Sequence, residues 1–375
     1  MHEPISPPDK RRRRSIAILV VLVLILAAIV TLDKWPVNEY AITPGDATPV
    51  APLVKIMGVA SETHPGKIML TDVYLSSLNR WQWLIMHFER HVQFVSSNEL
   101  VDPGVPTDEL QAQGYLEMSD SKQAAQVAAF DALGWKTPAT ATGAIVNSVV
   151  APSPARSAGI RVADEIVGVN GTSVGSACSL IAAMHSIPAG SSVHLSIKRA
   201  RISKKGAISY RKASTVTLKS AKPPQGIGSA GCAGVSGAGS SYLGVAIEDG
   251  NSYRLPAQVS INTANIGGPS AGLAMTLTLI DKMSRQSISG NQPIAATGTI
   301  DVFGNVGDVG GVAEKTVAVQ RAGARYFFVP QVEVATAKAA AQPGLKIIGV
   351  TTLAQALRDL RALGGAAPQP LTPPH

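Results

Sequence analysis

Residues 15–32 carry no charge and are nearly all aliphatic, and the five residues before them, Lys10 and Arg11 to Arg14, are all basic. No other feature restricts the fold of this chain more. A helix of that length just crosses the hydrocarbon core of a bilayer. The basic cluster predicts a cytoplasmic N-terminus, with everything after Asp33 outside the cytoplasm. A cleaved signal peptide is the rival reading; it wants a shorter core and a small-residue cleavage site, and "AAIVTLDKW" offers a poor one. On the first reading the protein is a single-pass cell-membrane protein that meets lipid through its N-terminal helix.

The rest of the chain is globular. With 375 residues, 45% hydrophobic and 15% charged, it has room for two or three domains. The net charge of +8 is uneven: between Lys198 and Lys222 lie nine basic residues and no acidic one. That run lacks interleaved aromatics beyond Tyr210, so it reads as a solvated hairpin, and nucleic acid is not an expected partner. No Walker loop is present, so ATP is not expected to drive the chemistry. His87 and His91 stand four apart on an amphipathic helix expected within residues 75–92. Glu89 is not placed as in H-E-x-x-H and no third ligand is evident, so neither a metal nor a cofactor is expected.

The stretch "INTANIGGPSAGLAMTL", residues 261–277, poses the chemical question. Pro269 suits a first helical position, Gly267 and Gly268 permit unusual backbone, and Leu273, Leu277 and Ile280 recur at helical spacing. Ser270 is therefore expected in the first turn of a helix, beside free N–H groups. Gly268 to Gly272 also fits G-x-S-x-G, but the only later histidine is His375, so a histidine triad in that order is nearly excluded. If Ser270 is a nucleophile, lysine is the alternative base.

Lys282 is too far along the same helix, Lys338 lies on a soluble-looking, alanine-rich helix, and Lys346 opens a strand-like "KIIGV". Lys315, in "GDVGGVAEKTVAVQRAG", differs. On a helix starting near Gly311 it shares a face with Val312, Thr316 and Val319, while Glu314 and Arg321 are expected to point away. Burial on that face would lower its proton affinity, as a neutral base requires.

"GGPSAG" followed about 45 residues later by "GGVAEK" resembles the proteolytic domain of the Lon family. The resemblance implies Ser270 as nucleophile and Lys315 as base, supported by Gly268, Pro269 and Thr297, whose hydroxyl would contact the lysine. The chain has Thr299 where that family has an acid, and Asn265, Ile266 and Gly267 where an acid often precedes the nucleophile.

Upstream, "SPARSAGIRVADEIVGVNGTSV" has the arrangement of a PDZ domain. "SACSLIAAMHSI" would be its groove helix, and Leu133, Gly134 and Trp135 would form its carboxylate loop unless they merely end the helix before them. Such a groove would bind protein or peptide substrates through their C-termini. The layout resembles the YlbL-like membrane-anchored PDZ–Lon proteases.

The expected fold class is thus α+β: a transmembrane helix, a PDZ-like β-sandwich or barrel with helices, and a Lon-type α+β proteolytic domain. The expected boundaries are a basic tail 1–14, the span 15–32, an N-terminal segment 33–125, the PDZ domain 126–222, a Gly/Ser-rich linker 223–241, the proteolytic domain 242–362 and a Pro-rich tail 363–375. The expected function is an ATP-independent serine endopeptidase with extracytoplasmic substrates; a silent PDZ scaffold is the alternative, and an oligomer is left open. Cys178 and Cys232 either form a disulfide or remain two free thiols.

Overall fold

Ile68, Met69 and Leu70 follow one another in strand Lys67–Asn79 and are all buried, so this strand is covered on both faces. The structure, a computed structural model, describes residues 10–33, 35–100, 106–224, 232, 241–264 and 266–372. In it, Lys67–Asn79 is central in a mixed six-stranded sheet. The order is Lys346–Val350, Tyr326–Pro330, Pro293–Ala296, Lys67–Asn79, Pro36–Pro49 and Gln93–Ser96. The last two join antiparallel and the first three parallel.

Period two sorts the side chains into two layers. Ile68, Leu70, Ile294, Ala296 and Phe328 pack with the helix Gly272–Met283. Met69, Ala295, Phe327 and Val329 pack on the other side with Val312 and Val319 of the helix Val312–Arg321.

This arrangement revises the boundaries expected from sequence. Three of the six strands come from the segment 33–125, so the catalytic sheet is not confined to residues 242–362. Strand Val245–Tyr253, in turn, pairs with Ala139–Val149 and is the outer strand of the PDZ sheet. The PDZ module is an insertion between two halves of one sheet. Sequence could not reveal this, because strand pairing is non-local and neither half shows an incomplete edge in its own pattern.

Across the module that outer strand is followed by Ala139–Val149, Glu165–Val169, Ser192–Lys198 and, at the opposite edge, Ser214–Lys219. Its core holds Val146, Ile166, Leu180, Leu195 and Ile197. The helix Ala177–His185 begins with a capping box between Ser176 and Ser179. Cys178 on that helix is joined to Cys232 by a disulfide, with 5.4 Å between their Cα atoms. The basic run forms a small hairpin of Ala200–Ile202 and Ile208–Tyr210.

Two further expectations change. The helix expected within residues 75–92 is only Arg80–Met86, because Leu75 and Leu78 continue the strand up to the capping residue Asn79. Phe88, within that expected helix, lies beyond the end of the observed one and is 84% exposed. The apolar run does lie in a helix, Lys10–Asp33, with Ile16, Leu19, Leu22 and Leu26 exposed. Among the described residues, however, no helix is long and apolar enough to cross a membrane. The side chains of Ile25, Ala28, Ile29, Val30 and Leu32 lie outside those described.

Candidate active site

Ser270 sits just before a helix rather than in its first turn. Gly268 takes φ +84°, Gly272 N–H turns back to the Pro269 carbonyl, and the regular helix begins at Gly272 with Ala271 as its cap. The reason is tertiary. The Ser270 carbonyl accepts from Gly298 N–H at 2.9 Å and from Thr297 Oγ1 at 3.2 Å. The Leu273 N–H is drawn to the Gly298 carbonyl at 3.1 Å. These bonds tie the turn to the residues just past the strand Pro293–Ala296. A side chain at Gly272 would strike Ile300, and one at Gly298 would strike Val306. Neither Ser270 N–H nor Ala271 N–H donates to a protein acceptor among the described residues.

Lys315 approaches from the opposite layer of the sheet. Gly311, at φ +66°, caps its helix, and a Cβ there would lie 2.9 Å from Val73. The glycine thus lets the helix start close against the sheet. Lys315 is 3% exposed, and its Nζ donates to Thr297 Oγ1 at 3.4 Å. Thr297, fully buried, therefore accepts from the lysine and donates to the Ser270 carbonyl. Two helices from opposite faces meet at the carboxyl end of one parallel strand. The structure brings Thr297 and Lys315 to the turn that holds Gly268, Pro269 and Ser270, although among the described residues no hydrogen bond links the Ser270 hydroxyl to Lys315.

Burial pulls the Lys315 amine down from 10.5 to about 8, against the opposing pull of the Glu333 and Asp72 carboxylates. Lys282 is also buried but donates to Thr63 at the far end of its helix, and Lys338 and Lys346 are exposed. If the neutral amine is the working form, activity rises with pH through about 8. Its neutral fraction is roughly a tenth at pH 7. A kcat profile flat from pH 6 to 9 would exclude this amine as the base.

The acids at this site were not legible in the sequence. Glu314, expected to face away, is 4% exposed, and its Oε2 has no hydrogen-bond partner among the described residues. Its helix is covered on more than one side. Glu333 accepts from Val309 N–H at 2.9 Å and lies close enough to Lys315 to act on it, as does Asp72. Asp72 belongs to the strand Lys67–Asn79, whose membership in this sheet no local pattern discloses.

The carboxylate loop expected at Leu133, Gly134 and Trp135 is a helix end. Gly134 has φ +83°, Trp135 N–H reaches back to the Phe130 carbonyl, and Leu133 and Trp135 are buried in the catalytic core. The helix expected to line a groove has another neighbour. The helix Ala177–His185 runs along the outer strand Val245–Tyr253. Ala177 N–H donates to Asp249 Oδ1 at 2.7 Å at one end, and Ser241 Oγ to the Met184 carbonyl at 2.9 Å at the other. The strand is entered through Leu243 and Gly244, the latter at φ +83° against Ser153. The signal was "SYLGVAIED": a turn glycine followed by a strand, after the module's other recognisable parts.

Comparison with known proteins agrees with both halves. Residues 259–361 match the Lon protease (S16) C-terminal proteolytic domain, and residues 116–209 match the PDZ domain. Lon protease of Ureaplasma parvum is 41% identical over 63 residues, 17% of this chain and 8% of that protein. Lon protease of Clostridioides difficile is 44% identical over 64 residues, 17% and 8%. That of Flavobacterium johnsoniae is 36% identical over 86 residues, 23% and 10%. The chain thus spans a tenth or less of these relatives' length. Among solved structures, the PDZ domain of an SdrC-like protein from Listeria monocytogenes matches 28% of this chain and 86% of that one. Its identity is 19% and its TM-score 0.21. The chain therefore carries a Lon-type proteolytic domain and a PDZ domain, a pairing consistent with a PDZ–Lon protease.

Proposed function

We propose that the protein is a serine endopeptidase using a Ser270–Lys315 dyad, with protein substrates presented by its PDZ module. The observation that carries this reading is the buried lysine, joined through Thr297 to the turn that bears Ser270. Neutral Lys315 takes the Ser270 proton as Oγ attacks the peptide carbonyl. The resulting alkoxide-like oxygen of the tetrahedral intermediate is received by the uncommitted N–H groups of Ser270 and Ala271. Protonated Lys315 then gives the proton to the leaving amine, and water hydrolyses the acyl-enzyme by the same route. Asp72 and Glu333 stabilise the lysinium formed on the way.

The chemistry needs no ATP, and no phosphate-binding loop occurs in this sequence. We further propose that the outer PDZ strand Val245–Tyr253 receives substrate C-termini, and that the work is extracytoplasmic. The basic cluster and apolar run at residues 10–32 support a membrane anchor. The Cys178–Cys232 disulfide supports an oxidising compartment. A fluorophosphonate probe tests the central claim. It is expected to label Ser270 in the purified protein and to leave Ser270→Ala unlabelled. Absence of labelling in the wild type at pH 9 would favour a PDZ scaffold without catalysis.

A further inference from the structure

The helix Thr107–Ala132 belongs to neither half alone. Gly114, Met118, Ser121, Ala125 and Ala128 recur every three or four residues on one face, and those that are buried pack into the catalytic core. Glu109, Ala112, Leu116, Asp120 and Gln123 recur on the opposite face, toward the PDZ module. Leu116 packs on Val162 and Ala163, Glu109 pairs with Arg156, and Gln123 Nε2 donates to the Asn251 carbonyl at 3.2 Å. Asn251 lies in the outer PDZ strand.

The catalytic face of this helix holds the nucleophile turn directly. Gly268 N–H donates to the Gly114 carbonyl at 2.8 Å. Ser121 Oγ, on a side chain 4% exposed, donates to the Pro269 carbonyl at 2.9 Å. The fit is close: a Cβ on Gly267 would lie 3.3 Å from the Gly114 backbone, and one on Gly272 would lie 3.0 Å from Ser121 Oγ. The peptide units on the N-terminal side of Ser270 are thus fixed from this helix, while its carbonyl is fixed from Thr297 and Gly298.

We propose that Ser121 is a positioning residue for Ser270, and that through it the helix Thr107–Ala132 sets the nucleophile turn according to the seating of the outer PDZ strand. A shift of that strand pulls on Gln123, two residues from Ser121 on the same rigid helix. On the same side, Asp120 faces Glu248 of the strand, and burial with that neighbouring carboxylate pushes Asp120 up to about 8. Its protonated form can share a hydrogen bond with Glu248, so the contact is cohesive at neutral pH. The inference rests on Ser270 being the nucleophile only for its kinetic readout.

Two measurements on the purified full chain test it: the rate of fluorophosphonate labelling, and hydrogen exchange of the backbone amides of residues 266–274. Ser121→Ala is expected to slow labelling roughly tenfold to a hundredfold and to speed exchange at Gly268. Ser121→Thr, which keeps the hydroxyl, is expected to restore both. Gln123→Ala is expected to move both readouts in the same direction as Ser121→Ala, and to add little in the double variant. Unchanged exchange at Gly268 in Ser121→Ala, or failure of Ser121→Thr to rescue, would overturn the positioning role. Additive effects of Gln123→Ala and Ser121→Ala would overturn the transmission through the helix. If the wild type resists labelling while the exchange results hold, the endopeptidase reading fails and the positioning role stands.

Discussion

Lys315→Arg is expected to abolish peptide hydrolysis, by roughly a thousandfold or more in kcat. Arginine keeps a positive charge and similar reach but does not release its proton near neutral pH. The pocket that pulls Lys315 down to about 8 does so by burial, and the same burial opposes a permanent charge. Arginine therefore also strains the fold there. Lys315→Met is the companion variant, since it keeps an unbranched stem without a charge to bury. It is expected to fold at least as well as the wild type and to be equally inactive. Far-UV circular dichroism and the unfolding midpoint separate the two effects. Ser270→Ala combined with either change is expected to be little worse than one alone, because the pair works as a unit. Substantial turnover in Lys315→Met would require another base and would overturn the assignment.

Reduction of Cys178–Cys232 is expected to cost the PDZ module about 4 kcal/mol, from the loop entropy of a 54-residue separation. The bond anchors the groove helix near its start, where Ala177 N–H already meets Asp249. Without it, that helix keeps the burial of Leu180 and Met184 and the hydrogen bonds to Asp249 and from Ser241. Chemical denaturation with and without reductant reads the loss as a lower midpoint for the module, and a Cys178→Ser, Cys232→Ser variant is expected to ignore the reductant. An unchanged wild-type midpoint would mean that the bridge contributes nothing to stability.

What could be read from sequence was what is local. "GGPSAG" and "GGVAEK" each carry a turn and a helix start within a few residues, so Ser270 and Lys315 stand out as candidates without the fold. Asn170-Gly171 within "SPARSAGIRVADEIVGVNGTSV" is a local signal of the same kind, a turn dipeptide in which both residues take positive φ. Everything that depends on distant pairing was hidden. Asp72 reaches Lys315 only because Lys67–Asn79 pairs with Pro293–Ala296. Leu133 to Trp135 carry the composition of a binding loop, but Phe130 and Trp135 meet edge to face with ring centroids 5.6 Å apart inside the core. The helix Thr107–Ala132 is covered on two sides, by the catalytic core along Met118 and Ala125 and by the PDZ module along Glu109, Leu116 and Gln123, so no single amphipathic stripe stands out in its spacing.

The insertion of the PDZ module has a consequence for biosynthesis. Strand Lys67–Asn79 leaves the ribosome long before its parallel neighbour Pro293–Ala296, with about two hundred residues of other chain between them. Throughout that interval the edge of this strand, apolar and buried through Ile68, Met69 and Leu70, has no partner, while the PDZ sheet is completed by Val245–Tyr253. A chain cut short between these points would carry a finished PDZ module and an open sheet edge, the combination that invites pairing with other chains. Half-made protein is thus exposed to aggregation or to capture by chaperones, and Ser270 cannot be set against Thr297 until the second half of the sheet arrives.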